Sequence, residues 1–256
     1  MNEIFLKTED GVKLALNCYS KNRDEIVIIV HGWFMTKDSK AFSNLAEDLF
    51  KEFDVITFDC RGHGKSSGFY TFTSKENIDL KTVVNFAKTK YKKIYLAGFS
   101  LGGALVLIHS ALYKDVDKVV AVSAPSDFDK IENHMWKKEA WIPTFQKFEL
   151  KRWLSVRPSI IIDKKTKPID IIKNVQVPTL FIAGEKDPTV YPWHTEKLYN
   201  EATCEKDFKL YKSTHAEDLY IENKEDFLKT LINWLKSPSH NSYNQISNET
   251  SDLSHQ

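Results

Sequence analysis

Cysteine is scarce. Cys18, Cys60 and Cys204 are the three in 256 residues. Their odd number and wide spacing, with no C-x-x-C or Cys/His ligand pattern, exclude a disulfide framework and a thiolate metal site and predict free thiols in a reducing compartment. No stretch approaches the roughly 18 apolar residues of a membrane span. The first ten residues carry charges where a secretory leader needs an apolar centre, so the chain is expected to be cytoplasmic. Neither sign of charge dominates: 36 basic and 35 acidic residues leave a net +1. Without a single-sign field, nucleic acid is not the expected partner, and neither is stable membrane insertion. No internal repeat is present, which removes the solenoid architectures.

What is there is apolar mass in short runs. A 42% apolar fraction is enough for a real core, and 256 residues suit one large α/β domain or two small ones. Residues 3–8 and 12–19 read as strands joined at the Asp10-Gly11 turn. The β-branched run 25–30 reads as a strand buried on both faces of a parallel sheet. A helix over 39–52 follows from Phe42, Leu45, Ala46, Leu49 and Phe50 at helical spacing. Strands at 54–59, 93–97, 117–123, 177–183 and 206–211 then alternate with helices over 75–90, 103–113, 192–202 and 223–236. Eight strands in this rhythm predict a doubly wound, mostly parallel sheet with helices on both faces. Ligands of such sheets bind at the carboxyl ends of the strands.

The rhythm is interrupted between 126 and 175. That segment holds three of the six tryptophans and eleven basic against seven acidic residues. It predicts short helices forming a cap over a core made of 1–125 and 176–236. Met135, Trp136, Trp141, Phe145 and Trp153 are its candidate pocket residues. A helical insertion covering apolar strand ends is the plainer alternative. Residues 237–256 are polar and predict a disordered tail.

The chain's centre is Gly98-Phe99-Ser100-Leu101-Gly102. It lies between a predicted strand and a predicted buried helix, the context in which G-x-S-x-G holds a serine hydroxyl at a sharp turn. Glycines at 98 and 102 allow strand and helix to pass close to that turn. The helix N-terminus places a positive dipole end where negative charge would develop.

A serine hydroxyl needs a base, and the base needs a carboxylate to hold its tautomer. Asp187 follows the strand ending at Ala183, and His215 follows the strand ending near Tyr211. Glu185 and Asp127 are rival acids. His63 and His31 read as loop-bracing residues, and His109 as a core residue. His134 and His194 read as solvated or entrance-lining.

In these motifs the chain resembles a serine hydrolase of the α/β-hydrolase superfamily over about residues 3–236. Asp59-Cys-Arg-Gly-His-Gly-Lys-Ser66 is similar to the D-x-R-G-H-G-x-S segment of its monoacylglycerol lipase-like and feruloyl (cinnamoyl) esterase-like members. The order Ser100, Asp187, His215 is the order that fold uses. The resemblance implies that His31-Gly32-Trp33 is an oxyanion segment in which the Trp33 and Leu101 backbone N–H groups are the donors. Trp33's side chain would then wall the pocket. It also places Asp59 in support of its loop. The expected reaction is cleavage of a small carboxylic ester, with short-chain or aromatic acyl group, through an acyl-enzyme and with no cofactor or metal. Amide, peptide and thioester substrates fit the same residues, and a non-catalytic ligand-binding protein is the alternative from another class. The oligomeric state is left open between monomer and homodimer.

Overall fold

A computed structural model describes residues 1–131, 155–159 and 165–238. The expected cap residues Met135, Trp136, Trp141, Phe145 and Trp153, and the tail from 239, lie outside the described residues.

Eight strands form one sheet: β1 (Asn2–Lys7), β2 (Lys13–Tyr19), β3 (Glu25–Val30), β4 (Asp54–Phe58), β5 (Lys93–Phe99), β6 (Lys118–Val122), β7 (Thr179–Gly184) and β8 (Lys206–Tyr211). Their order is β1-β2-β4-β3-β5-β6-β7-β8. β1 and β2 form an antiparallel hairpin, and β2 joins β4 antiparallel. From β4 onward every pairing is parallel. The carboxyl ends of β3 to β8 therefore lie along one edge.

Seven α-helices connect them among the described residues: α1 (Lys40–Leu49), α2 (Glu76–Lys88), α3 (Leu101–Tyr113), α4 (Pro168–Ile171), α5 (Pro192–Glu201), α6 (Glu217–Glu222) and α7 (Lys224–Lys236). Alternate residues of a strand face opposite sides, and the core divides accordingly. Ile26, Ile28 and Val30 of β3 join Leu80 and Val84 of α2, Leu105 of α3 and Leu198 of α5. Val27 and Ile29 join Phe42 of α1, Leu219 of α6 and Leu231 of α7. The continuous β-branched run is thus explained by two apolar layers, one on each face.

Two boundaries differ from expectation. α3 begins at Leu101, because the turn at Ser100 is tight enough for the helix to start at the next residue. The expected cap ended at 175, yet α4 and the turn after it pack inward. Ile172 and Val175 are fully buried beside Leu105 and Val106 of α3. Residues 168–175 therefore cover the core face instead of the strand ends. α6, which the sequence rhythm did not call for, is a single short turn packed on α1 and α7. No helix among the described residues is long and apolar enough to cross a membrane.

Candidate active site

Ser100 sits between β5 and α3 with φ 54° and ψ −116°. That left-handed conformation is disfavoured for a residue with a Cβ and survives only where its surroundings hold it. Here the Ser100 N–H donates to the Val122 carbonyl at 2.8 Å, and the Ser100 carbonyl accepts from Ala104 at 3.1 Å. The flanking glycines are demanded by contact. A Cβ on Gly98 would lie 2.1 Å from the Gly102 carbonyl oxygen, and one on Gly102 would lie 2.1 Å from that of Val30. No side chain fits such a gap.

The three chemistry-bearing side chains predicted from separate loops converge. His215 Nε2 is 2.8 Å from Ser100 Oγ. His215 Nδ1 is 2.6 Å from Asp187 Oδ2. The other Asp187 oxygen accepts backbone N–H bonds from Thr189 at 2.9 Å and Val190 at 2.8 Å. These bonds fix the tautomer: Nδ1–H donates to the carboxylate, leaving Nε2 to accept from the serine hydroxyl. Burial disfavours the His215 imidazolium, but the charge of Asp187 and its hydrogen bond outweigh it, so the pKa lies above the ordinary 6.5.

The acid and base loops are pressed together. A Cβ on Gly184 would lie 1.9 Å from the Thr214 carbonyl oxygen. Beyond the histidine, Ala216 has φ 48° and its N–H donates to the buried Ser123 Oγ at 3.1 Å. Ser123, at the end of β6, thereby pins the residue next to His215. Sequence reading missed it; its only signal is a serine at the carboxyl end of a strand one position from the nucleophile's.

The segment after β3 lies directly against the nucleophile. A Cβ on Gly32 would lie 3.2 Å from Ser100 Cβ and 3.8 Å from its Oγ. Trp33 follows Gly32 in the chain, and Leu101 follows Ser100 as the first residue of α3. His31 holds the segment: its Nε2 accepts from the Cys60 N–H at 3.1 Å, and its Nδ1 lies 2.7 Å from the Gly32 carbonyl. His63 is fully buried, its ring edge-on to His31 at 5.0 Å and to Tyr70 at 4.9 Å. Burial pushes its pKa down to about 3, which keeps it neutral at physiological pH. Both behave as bracing residues.

The rival acids are elsewhere. Asp127 caps its own turn by accepting from the Asp129 N–H at 3.0 Å and pairs with Lys167 at 3.0 Å. His109 is buried and bonded to Asp115 at 2.8 Å. His194 corrects the expectation of a solvated or entrance histidine. It is fully buried, with Nδ1 2.8 Å from Ser126 Oγ, because the start of α5 packs under the end of β6. Asp59 supports its loop as expected, accepting from the Lys37 and Lys65 N–H groups at 2.7 and 2.9 Å. Burial holds the Cys60 thiol well above its ordinary range, so it is no competing nucleophile. Among the described residues no group of three His, Cys, Asp or Glu is placed to hold a metal.

Trp33, expected to wall the pocket, has aromatic neighbours that sequence reading did not foresee. Trp33 packs against Phe34 at 4.4 Å, Phe72 at 5.4 Å and Tyr70 at 6.1 Å between ring centres.

Comparison with known proteins agrees with this fold. A family model described as alpha/beta hydrolase fold matches residues 25–153. A Bacillus subtilis protein of the AB hydrolase superfamily, YisY, is 31% identical over 128 residues, covering 47% of this chain and 44% of that protein. The chain thus spans less than half of that relative's length. The human serine hydrolase BPHL is 21% identical over 239 residues, 83% of this chain and 80% of that one. An esterase of Pyrococcus furiosus superposes with a TM-score of 0.76 at 24% identity, over 92% of this chain and 91% of its own.

Proposed function

The chain belongs to the α/β-hydrolase fold family, and from that premise we propose that it hydrolyses small carboxylic esters through a covalent acyl-enzyme. The observation that carries this is the unbroken hydrogen-bonded line from Asp187 through His215 to Ser100, with 2.6 Å and 2.8 Å steps.

In this reading Ser100 Oγ attacks the ester carbonyl while His215 Nε2 takes its proton. The tetrahedral oxyanion is held by the Trp33 and Leu101 N–H groups, each contributing roughly 3 kcal/mol to lowering the barrier. The imidazolium, stabilised by Asp187, gives the proton to the leaving alkoxide and the acyl-enzyme forms. A water, deprotonated by the same nitrogen, then cleaves it and returns the free serine. Every group this requires is supplied by the chain. The relatives named as an esterase and a serine hydrolase point the same way, at identities that speak chiefly for the fold. A cap within residues 126–167 is part of the proposal, shorter than the sequence implies because Ile172 and Val175 lie in the core. Short or aromatic acyl groups are the proposed substrates, and the rings around Trp33 offer apolar surface for them. A binding protein that merely kept the fold has no use for a base, an acid and a strained serine in line.

The test is turnover of p-nitrophenyl esters from acetate to palmitate by the wild type and by Ser100→Ala. The substitution is expected to lower kcat by at least about a thousandfold, and the chain-length optimum measures the pocket. Equal rates in the two proteins would sink the proposal.

A further inference from the structure

One buried carboxylate is used by nothing described so far. Glu76, the first residue of α2, is fully buried. Its Oε1 accepts from the Thr71 N–H at 2.6 Å and its Oε2 from the Thr73 N–H at 2.7 Å. The Thr71 hydroxyl lies 3.0 and 2.9 Å from the two oxygens. A carboxylate with these partners on both oxygens, at the positive end of a helix, is held rigidly.

What it grips is a strained turn. Phe72 has φ 55° and Thr73 φ 79°. Two consecutive left-handed residues without a glycine are costly, and a β-branched threonine there is the worse of the two. Thr73 is also buried to 2% exposure, and its hydroxyl has no hydrogen-bond partner among the described residues. Glycine at 73 would remove both penalties. A chain that keeps threonine in such a conformation must be held in it, and backbone strain of this kind concentrates at functional sites.

The consequence of the turn is the direction of the Phe72 ring. It is sent back onto Trp33, with Tyr70 against its other edge at 4.6 Å. Trp33 adjoins Gly32, which touches Ser100. Phe34, itself at φ 56°, also packs against Trp33. Two non-glycine left-handed residues, Phe34 and Phe72, therefore pack on one indole.

We infer that Glu76 is a positioning residue for ester hydrolysis: by clamping the 71–73 turn it presses Phe72 against Trp33 and fixes the Trp33 N–H toward the oxyanion. This rests on the serine-hydrolase reading above, and it assigns a role to a loop that carries no chemistry itself. A donor displaced by a fraction of an ångström is felt most when the carbonyl oxygen becomes an oxyanion. Loss of the clamp therefore lowers kcat with little change in KM. A turn that only walled the pocket would instead raise KM, and a merely structural turn would move neither.

The experiment compares wild type, Glu76→Gln, and Glu76→Gln with Thr73→Gly. Two readouts are taken: kcat and KM on the best p-nitrophenyl ester, and the rate at which a fluorophosphonate modifies Ser100. In that labelling Ser100 Oγ bonds to phosphorus, fluoride leaves with the P–F electrons, and His215 takes the serine proton. Glu76→Gln presents an amide N–H₂ to at least one backbone donor and opens the clamp. It is expected to lower kcat and the labelling rate about tenfold with KM near the wild-type value. Thr73→Gly is expected to restore most of the loss, because glycine takes the positive φ without a Cβ penalty and the turn depends less on the clamp. Unchanged kcat and labelling in Glu76→Gln, or a rise in KM alone, overturns the inference and leaves the hydrolase reading intact. Absence of labelling in the wild type overturns both. If Glu76→Gln does not fold, Phe72→Leu leaves the clamp whole and must lower kcat in the same sense; an unchanged kcat there overturns the inference.

Discussion

At the residue scale the decisive group is His215. Its Nε2 can accept the Ser100 proton only when the imidazole is neutral. The Asp187 charge and hydrogen bond overcome burial and hold its pKa above the ordinary 6.5. Activity must therefore fall as pH drops through a value above 6.5, and kcat/KM against pH is expected to show an acid limb there. Stability runs the other way. A raised folded-state pKa stabilises the protein below the unfolded pKa, and that contribution fades as pH rises through the folded one. Asp187→Asn removes the charge and offers an N–H₂ that favours the wrong tautomer. It is expected to cost about four orders of magnitude in kcat and to move any residual acid limb downward, read from the same pH profile. An acid limb left in place would mean that Asp187 does not set the histidine. The acid itself was legible because Gly184-Glu185-Lys186-Asp187-Pro188 follows a strand end; Glu185 two residues earlier was excluded only by the observed bond from Asp187 to His215.

Elements carry the site through their junctions. The β5–α3 turn works because strand, serine and helix are packed to the limit of contact. Gly102 lies in α3, where alanine would ordinarily gain about 0.5–1 kcal/mol in helix propensity. Here the added Cβ meets the Val30 carbonyl oxygen at 2.1 Å, a backbone atom of β3 that cannot swing aside. Gly102→Ala is therefore expected to lower stability by about 3 kcal/mol or more, measured by urea unfolding. A gain in stability would refute the close approach. Strand and helix existence was legible from β-branched runs and helical spacing, since those patterns are local. The inward packing of 168–175 was not. Pro168, Ile169, Ile171 and Ile172 share the apolar, lysine-flanked composition of the segment before them, and only the burial of Ile172 and Val175 against α3 assigns them to the core.

For the whole molecule, the bracing histidine beneath the site links function to global stability. His63 is held neutral in the fold with a pKa of about 3, because burial disfavours its charged form. The unfolded chain takes up that proton near pH 6.5. Stability is therefore full above 6.5 and falls as pH drops from there toward 3. Asp59 opposes it: burial raises its carboxyl to about 6, so the fold gains from its protonation as pH falls from there toward 3.8. Substitution isolates the histidine's share. His63→Phe keeps the edge contacts to His31 and Tyr70 and loses the Nδ1 contact to the Arg61 carbonyl. Urea midpoints taken from neutral pH downward are expected to fall less steeply in the variant than in the wild type. Parallel curves would show that His63 does not carry the acid sensitivity. By itself the sequence determined the sheet, most of its helices, and Ser100 and His215 with an acid between them in chain order, because each sits in a local motif at a strand end; the fold brings Asp187, and neither Glu185 nor Asp127, onto His215. It left the bracing parts undetermined: Ser123 behind His215, Glu76 beneath the 71–73 turn, and the buried place of His194. Ser123 and His194 are ordinary residue types whose partners are brought to them by the crossing of distant segments, whereas the role of Glu76 comes from the turn of Thr71 and Thr73, five and three residues before it. A hydrogen bond between residues 93 positions apart, as from Ala216 to Ser123, leaves no periodicity to read; only the folded chain creates it.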